Sequence, residues 1–204
     1  MKGLLYKDWT LLWRHGKMYL LILLAFSLVP QFSRMGFAMA YAAILPYSVI
    51  AYDEQSKWNR LAIMLPYTDK QLVLSKYILS WIGMLLVMLL SAVSRTADYL
   101  FKGQAALLSN EYAEVFIFTA ASSLFSAIVL PLIFRFGVER GRLMFIPVIV
   151  GGVVGIVVAG EHIAPHLRSI SLWMAVLIAL LIAAAANLIS VNISRKLFRR
   201  GLRA

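Results

Sequence analysis

Six apolar runs, separated by short polar stretches, leave this chain few folds to choose from. They fall near Lys17–Pro30, Met35–Tyr52, Leu72–Ser94, Ala113–Phe134, Leu143–Gly160 and Ser171–Ser194, the first continuing to about Ser33. A helix of ~20 apolar residues spans the ~30 Å hydrocarbon core of a bilayer. Inside that core each backbone N–H and C=O must be satisfied within the segment, which selects helices. Composition agrees: 62% of residues are hydrophobic and 14% charged, against ~45–50% and ~25% in a soluble domain. The expected fold is an all-α integral membrane protein with six transmembrane helices. It forms a single transmembrane domain over 1–204, with no space for a soluble catalytic domain.

Charge placement orients the bundle. Sixteen of the 20 Lys and Arg residues fall on the side that receives the N-terminus, two internal loops and the C-terminus. Arg34, Arg95, Lys102 and Arg168 fall on the other. The positive-inside rule makes the first side cytoplasmic, so both termini are expected in the cytoplasm. The net charge of +11 is thereby explained by topology and contact with anionic headgroups, and no nucleic-acid partner is required. Ala38-Met39-Ala40 resembles a leader cleavage site. It lies too far from the apolar run ending near Pro30, so cleavage is not expected.

The polar stretches carry pattern of their own. Lys2 to Lys17 reads as an amphipathic helix in the membrane plane, with Leu5, Trp9, Leu12 and Trp13 on one face and Lys2, Lys7, Arg14 and Lys17 around the rest. Asp53 to Gln71 is the most informative segment. Trp58, Leu61, Ala62 and Leu65 share one helical face, with Glu54, Lys57 and Arg60 off that stripe. Pro66 ends this helix. Thr68 and Gln71 then form a capping box that starts the third span. The result is a short helix over Asp53–Leu65 between spans two and three, read either as a headgroup-anchored connector or as a docking element for a cytosolic partner. Trp58 is its best single anchor, because buried aromatic residues dominate interface energies.

Further along, a short interfacial helix is expected around Tyr99 to Leu108, and Arg135 to Arg142 reads as a compact turn containing Glu139, Arg140 and Arg142. Gly151 and Gly155 form a G-x-x-x-G that permits close helix packing. Asn187 is an intramembrane polar group, expected to bond a neighbouring helix, with substrate contact as the alternative. Residues 195–204 form a basic cytosolic tail.

Catalytic chemistry is missing from the pattern. There is no phosphate-binding G-x-x-x-x-G-K-[ST] and no H-E-x-x-H. Cys is absent. Glu161, His162 and His166 resemble a metal cluster, but Pro165 breaks their helical face, so a surface loop is expected and no metal site. His and Asp residues lie at or beyond the span ends, so an intramembrane protease is not expected. The span centres hold almost no charge, which leaves no energy coupling within the chain.

Three segments carry a family resemblance. Met1-Lys2-Gly3-Leu4-Leu5-Tyr6-Lys7-Asp8-Trp9 resembles the start of small six-span bacterial ABC-2-type transporter permeases. Leu65-Pro66-Tyr67-Thr68-Asp69-Lys70-Gln71-Leu72-Val73-Leu74-Ser75-Lys76-Tyr77 is similar to their L-P-x-[ST]-[RD]-K-x-x-[VI]-x-[SA]-K-[YL] segment. Phe136-Gly137-Val138-Glu139-Arg140-Gly141-Arg142 is similar to their F-G-x-E-[KR]-[GA]-R turn. The group includes permeases of exporters for phenol-soluble modulins and of peptide-antibiotic resistance systems. The resemblance implies an elbow helix over 1–17 and a coupling helix within 53–71 that docks an ATPase through Glu54, Lys57, Trp58, Arg60, Leu61 and Leu65. It implies a multi-pass protein of the bacterial plasma membrane that is not itself an enzyme. The chain then holds no cofactor. ATP and Mg bind in a separate cytosolic ABC ATPase subunit. A second permease copy and an amphipathic peptide cargo complete the expected partners. The rival expectation is an immunity or scaffold protein that binds a peptide or another membrane protein without transport.

Overall fold

The computed structural model describes residues 2–29, 36–102, 108–152 and 171–201, and every regular element among them is helical. In chain order these are α1 (Lys2–His15), α2 (Lys17–Leu28), α3 (Phe37–Ala43), α4 (Leu45–Gln55), α5 (Trp58–Met64), α6 (Asp69–Lys102), α7 (Leu108–Leu143) and α8 (Leu172–Gly201). Residues 145–152 are also helical.

Three of them are long and apolar enough to cross a membrane, over Asp69–Asp98, Asn110–Gly141 and Leu172–Phe198. These are the helices whose apolar runs are uninterrupted. α1 and α2 pass the same test only as a pair, and they meet at 88°. The second apolar run is broken at Ile44, with Pro46 in the first turn of α4. Proline is tolerated there because the first-turn N–H groups have no intrahelical acceptor. The run is therefore two short helices, α3 and α4, that meet at a single residue, Ile44, itself in right-handed helical geometry. Most of the fifth expected span, with Gly155, lies outside the described residues.

α7 and α8 form the closest pair in the bundle. Small residues carry contacts between them: Asn187 of α8 bonds Ser123 of α7, and the Ser190 hydroxyl of α8 donates to the Ala127 carbonyl of α7. Lipid tails are as apolar as leucine, so spans associate through close packing and polar contacts rather than through the hydrophobic effect. The outer face of α8 presents Leu177, Leu181, Ile182, Leu188 and Ile189, all exposed, as a surface for lipid. One apolar cluster joins Leu23, Met39, Leu45, Met84, Val87 and Val115, and a second joins Tyr47, Ile50, Val73, Leu130, Ile133 and Phe198.

Several expected boundaries move. Helix α6 has 34 residues, about 51 Å at 1.5 Å per residue, so Tyr99 to Lys102 continue the span instead of starting a separate helix. Arg135 to Arg142 is also not a plain turn. Helix α7 runs through it, broken only at Gly137, whose φ of 78° and ψ of 175° are non-helical. The inward face of α1 is Leu4, Asp8 and Leu12, while Trp9 and Trp13 are exposed. Of the expected stripe, Leu12 turns inward and Trp9 and Trp13 stay outside, and Asp8 can join the inward face because Lys7 and Lys76 pair with it. The capping box forms as expected: Thr68 N donates to Gln71 Oε1 at 3.2 Å, and Gln71 N to Thr68 Oγ1 at 3.4 Å.

Candidate functional site

Four charged side chains converge where α1, α4 and α6 meet. Lys7 Nζ lies 2.6 Å from Asp53 Oδ1 and 2.9 Å from Asp8 Oδ1. Lys76 Nζ lies 2.6 Å from Asp53 Oδ2 and 2.8 Å from Asp8 Oδ1. Each Asp53 oxygen thus takes one ammonium, and Asp8 bridges both. Exposure is 0% for Asp8, 3% for Asp53 and 7% for Lys76. Two cations and two anions balance, which offsets much of the cost of removing them from water. Asp8 Oδ2 has no hydrogen-bond partner among the described residues. The effect of this knot is to pin the N-terminal helix, the end of α4 and the start of α6 to one another.

A second link runs from the same turn of α4. Glu54 accepts the Val138 N–H on both carboxylate oxygens, at 3.1 and 3.0 Å. Val138 follows the break at Gly137, so the carboxylate takes an amide that α7 itself leaves exposed. Above the knot, Lys7 Nζ sits 4.6 Å from the Trp58 ring centroid, a cation–π contact. A cavity of about 270 Å³ lies between, lined by Lys7, Asp53, Glu54, Trp58, Lys76 and Arg135 among others.

The expected docking residues divide into base and tip. Asp53 and Glu54 belong to the last turns of α4 and face the knot and α7, so they are not part of the short helix that the apolar spacing assigned to Asp53–Leu65. Lys57 makes the turn in left-handed geometry, with φ 54°. Trp58 is half-buried over Lys7, and Ala62 is buried. Arg60 lies within α5. Leu61 and Leu65 are exposed, and Met64 is 83% exposed. Glu139 and Arg140 are exposed just beyond Gly137, and Arg142 lies in the last turn of α7.

Asn187 lies in the bundle, away from the knot. Its Nδ2 donates to Ser123 Oγ at 2.7 Å and Ala183 O at 2.8 Å, and its Oδ1 accepts Trp81 Nε1 at 3.2 Å. One turn on, Tyr77 Oη pairs with Ser190 Oγ at 2.6 Å and Ser194 Oγ at 2.8 Å. Beyond these neutral contacts, fully buried Arg95 pairs with Glu111 at 2.9 Å and Glu114 at 3.3 Å, joining α6 to α7 at the other end.

Sequence reasoning missed Lys7, Asp8, Asp53, Lys76 and Arg95. A usable signal existed for one: Asp8 lies at i+4 from Leu4 and i−4 from Leu12, a carboxylate on an apolar face. Among the described residues no group of three or more His, Asp or Glu side chains is placed to hold a metal. Glu161, His162 and His166 lie outside them.

These features define a helical membrane protein whose charged groups gather at the bundle ends and whose interior is neutral. A family model described as ABC-2 family transporter protein matches residues 3–199, and the chain belongs to that family. It is a transmembrane permease component rather than a catalyst, and membership implies an ATPase partner. No curated protein and no solved structure matches the chain.

Proposed function

We propose that this chain is the permease subunit of an ATP-driven exporter and that α5 is where a cytosolic ABC ATPase docks. The observation that carries the reading is the apolar tip of Leu61, Met64 and Leu65, which project from a helix whose base is tied down. An exposed apolar patch beside charged groups marks an interaction surface. Its base is fixed to three helices through Lys7, Asp53 and Lys76. A firm base suits transmission of force, whereas a lipid anchor needs none.

In this reading the knot end faces the cytosol, as the Lys and Arg distribution requires, with both termini there, in a bacterial plasma membrane. The exposed Tyr6, Trp9 and Trp13 of α1 suit an elbow lying in the headgroup layer. Six spans result when α2, the α3–α4 pair and the segment starting at 145–152 are added to α6, α7 and α8. Two copies pair to enclose a pathway for an amphipathic peptide, and ATP and Mg bind in the partner. Glu139 and Arg140 line a groove beside the last turn of α4, where charge steers association more than it sets affinity.

Co-purification in mild detergent tests the central claim. Replacing Leu61 and Met64 by Ser should leave insertion normal and lower ATPase recovery at least tenfold, equivalent to about 1.4 kcal/mol. Full retention of the ATPase would assign the tip to lipid. Reporter fusions at Ala204 and in the Arg95–Glu114 region should report opposite sides of the membrane.

A further inference from the structure

We infer that the Glu54 carboxylate is the hinge pin through which movement of α5 reaches α7, a positioning residue rather than a docking one. The inference rests on the reading of α5 as the docking helix and adds the route by which its motion leaves it.

Three observations converge on this residue. Gly137 departs from helical geometry with positive φ, and the amide after it is held by Glu54 instead of by α7. The segment beyond folds back closely on the span: a Cβ on Gly141 would lie 3.1 Å from Ile133 Cγ1. That segment is therefore a short lever, joined to α4 by the Glu54 carboxylate and by Val138, which is buried in the same apolar cluster as Tyr47 and Ile50. Finally, the link borders two open spaces. A cavity of about 270 Å³ adjoins it, and so does a groove of about 570 Å³ lined by Ala51, Gln55, Glu139 and Arg140. Both are bounded by Glu54, Phe136 and Gly137.

The neighbouring residue shows why Glu54 is the mobile connection. Asp53 is clamped by two lysines from α1 and α6, which fixes the end of α4. Lys57, three residues on from Glu54, starts the turn into α5. A push on α5 thus arrives at a turn whose Asp53 side is immobilised and whose Glu54 side grips a lever with room to swing. Charge-assisted hydrogen bonds to a carboxylate are strong and directional enough to move the amide they hold.

The test uses the full chain in nanodiscs with its ATPase. Since native Cys is absent, spin labels at Gln55→Cys and Arg140→Cys report the width of the groove. The wild-type chain should give one narrow distance that changes with ATP and Mg. Glu54→Ala should broaden the nucleotide-free distribution and abolish the nucleotide response. ATPase co-purification should stay within about twofold. Glu54→Gln keeps a carbonyl acceptor and should restore the narrow distance. Gly137→Ala opposes the positive φ, sets a methyl 3.5 Å from Glu54 Oε1, and should broaden it while the carboxylate itself is kept. A wild-type distance and a wild-type nucleotide response in Glu54→Ala would overturn the inference. Loss of the ATPase itself from Glu54→Ala would also overturn it, by making Glu54 a docking residue. If the wild-type chain retains no ATPase, the docking reading fails, and the nucleotide-free distances of the three variants still decide whether Glu54 holds the hinge.

Discussion

Lys76 and Tyr77 are neighbours on α6, yet they enter opposite kinds of environment. Lys76 turns toward α1 and α4 and joins a charged knot with Asp8 and Asp53. Tyr77 turns toward α8 and meets two serine hydroxyls. One residue of helical rotation, about 100°, separates them. The knot lies at the end of the bundle, where charges pair close to water and headgroups. The ladder of Tyr77, Trp81, Ser123, Asn187, Ser190 and Ser194 runs inward and uses only neutral groups. A charge at mid-bilayer is costly, while a hydroxyl or amide that finds a partner is cheap. The two regions thus have different jobs in the fold. The knot fixes where helices begin and end, and the ladder sets how α6, α7 and α8 lie against one another.

That contrast can be broken most severely at Lys76. Lys76→Met leaves Asp8 and Asp53 facing a single ammonium, and loss of one partner from a buried pair costs about 3–5 kcal/mol. The thermal midpoint followed by gel filtration in detergent should fall steeply. Adding Asp53→Asn to Lys76→Met rebalances the charges and should recover much of the loss. If both variants melt like the wild type, the knot is solvated and the contrast disappears. A smaller effect is expected at Asn187→Leu, which strands Trp81 Nε1 and removes the donor to Ser123, at about 1–2 kcal/mol. The smallest belongs to Tyr77→Phe, about 0.6 kcal/mol, because Ser190 still donates to the Ala127 carbonyl. A Tyr77→Phe loss as large as that of Lys76→Met would show that the neutral ladder, and not the knot, dominates stability.

The legible parts of the fold share a cause. The capping box at Thr68 and Gln71, the apolar runs of α6, α7 and α8, and the stop of α5 before Pro66 all depend on residues within a few positions of one another. Backbone hydrogen bonding and local sterics decide them. Asn187 was readable as a helix-bonding residue for the same reason: an amide in an apolar run must find a partner nearby. The short helix α5 was readable in the sequence, but the residues leading into it were not. Asp53 and Glu54 look like solvated charges in sequence, and their partners are Lys7, Lys76 and Val138, distant in the chain.

Sequence alone therefore determined the helical class, the membrane as solvent and the start of α6, because the bilayer penalises every unsatisfied backbone group one segment at a time. Tertiary structure decided what the charges near the span ends do. Whether Asp8 faces lipid, water or Lys76 depends on which helices arrive beside it. Likewise the break at Gly137 becomes a supported hinge only because Glu54 comes from another helix to hold the freed amide. Pairing energies between distant residues leave no periodicity in the chain, and only the packed bundle shows them.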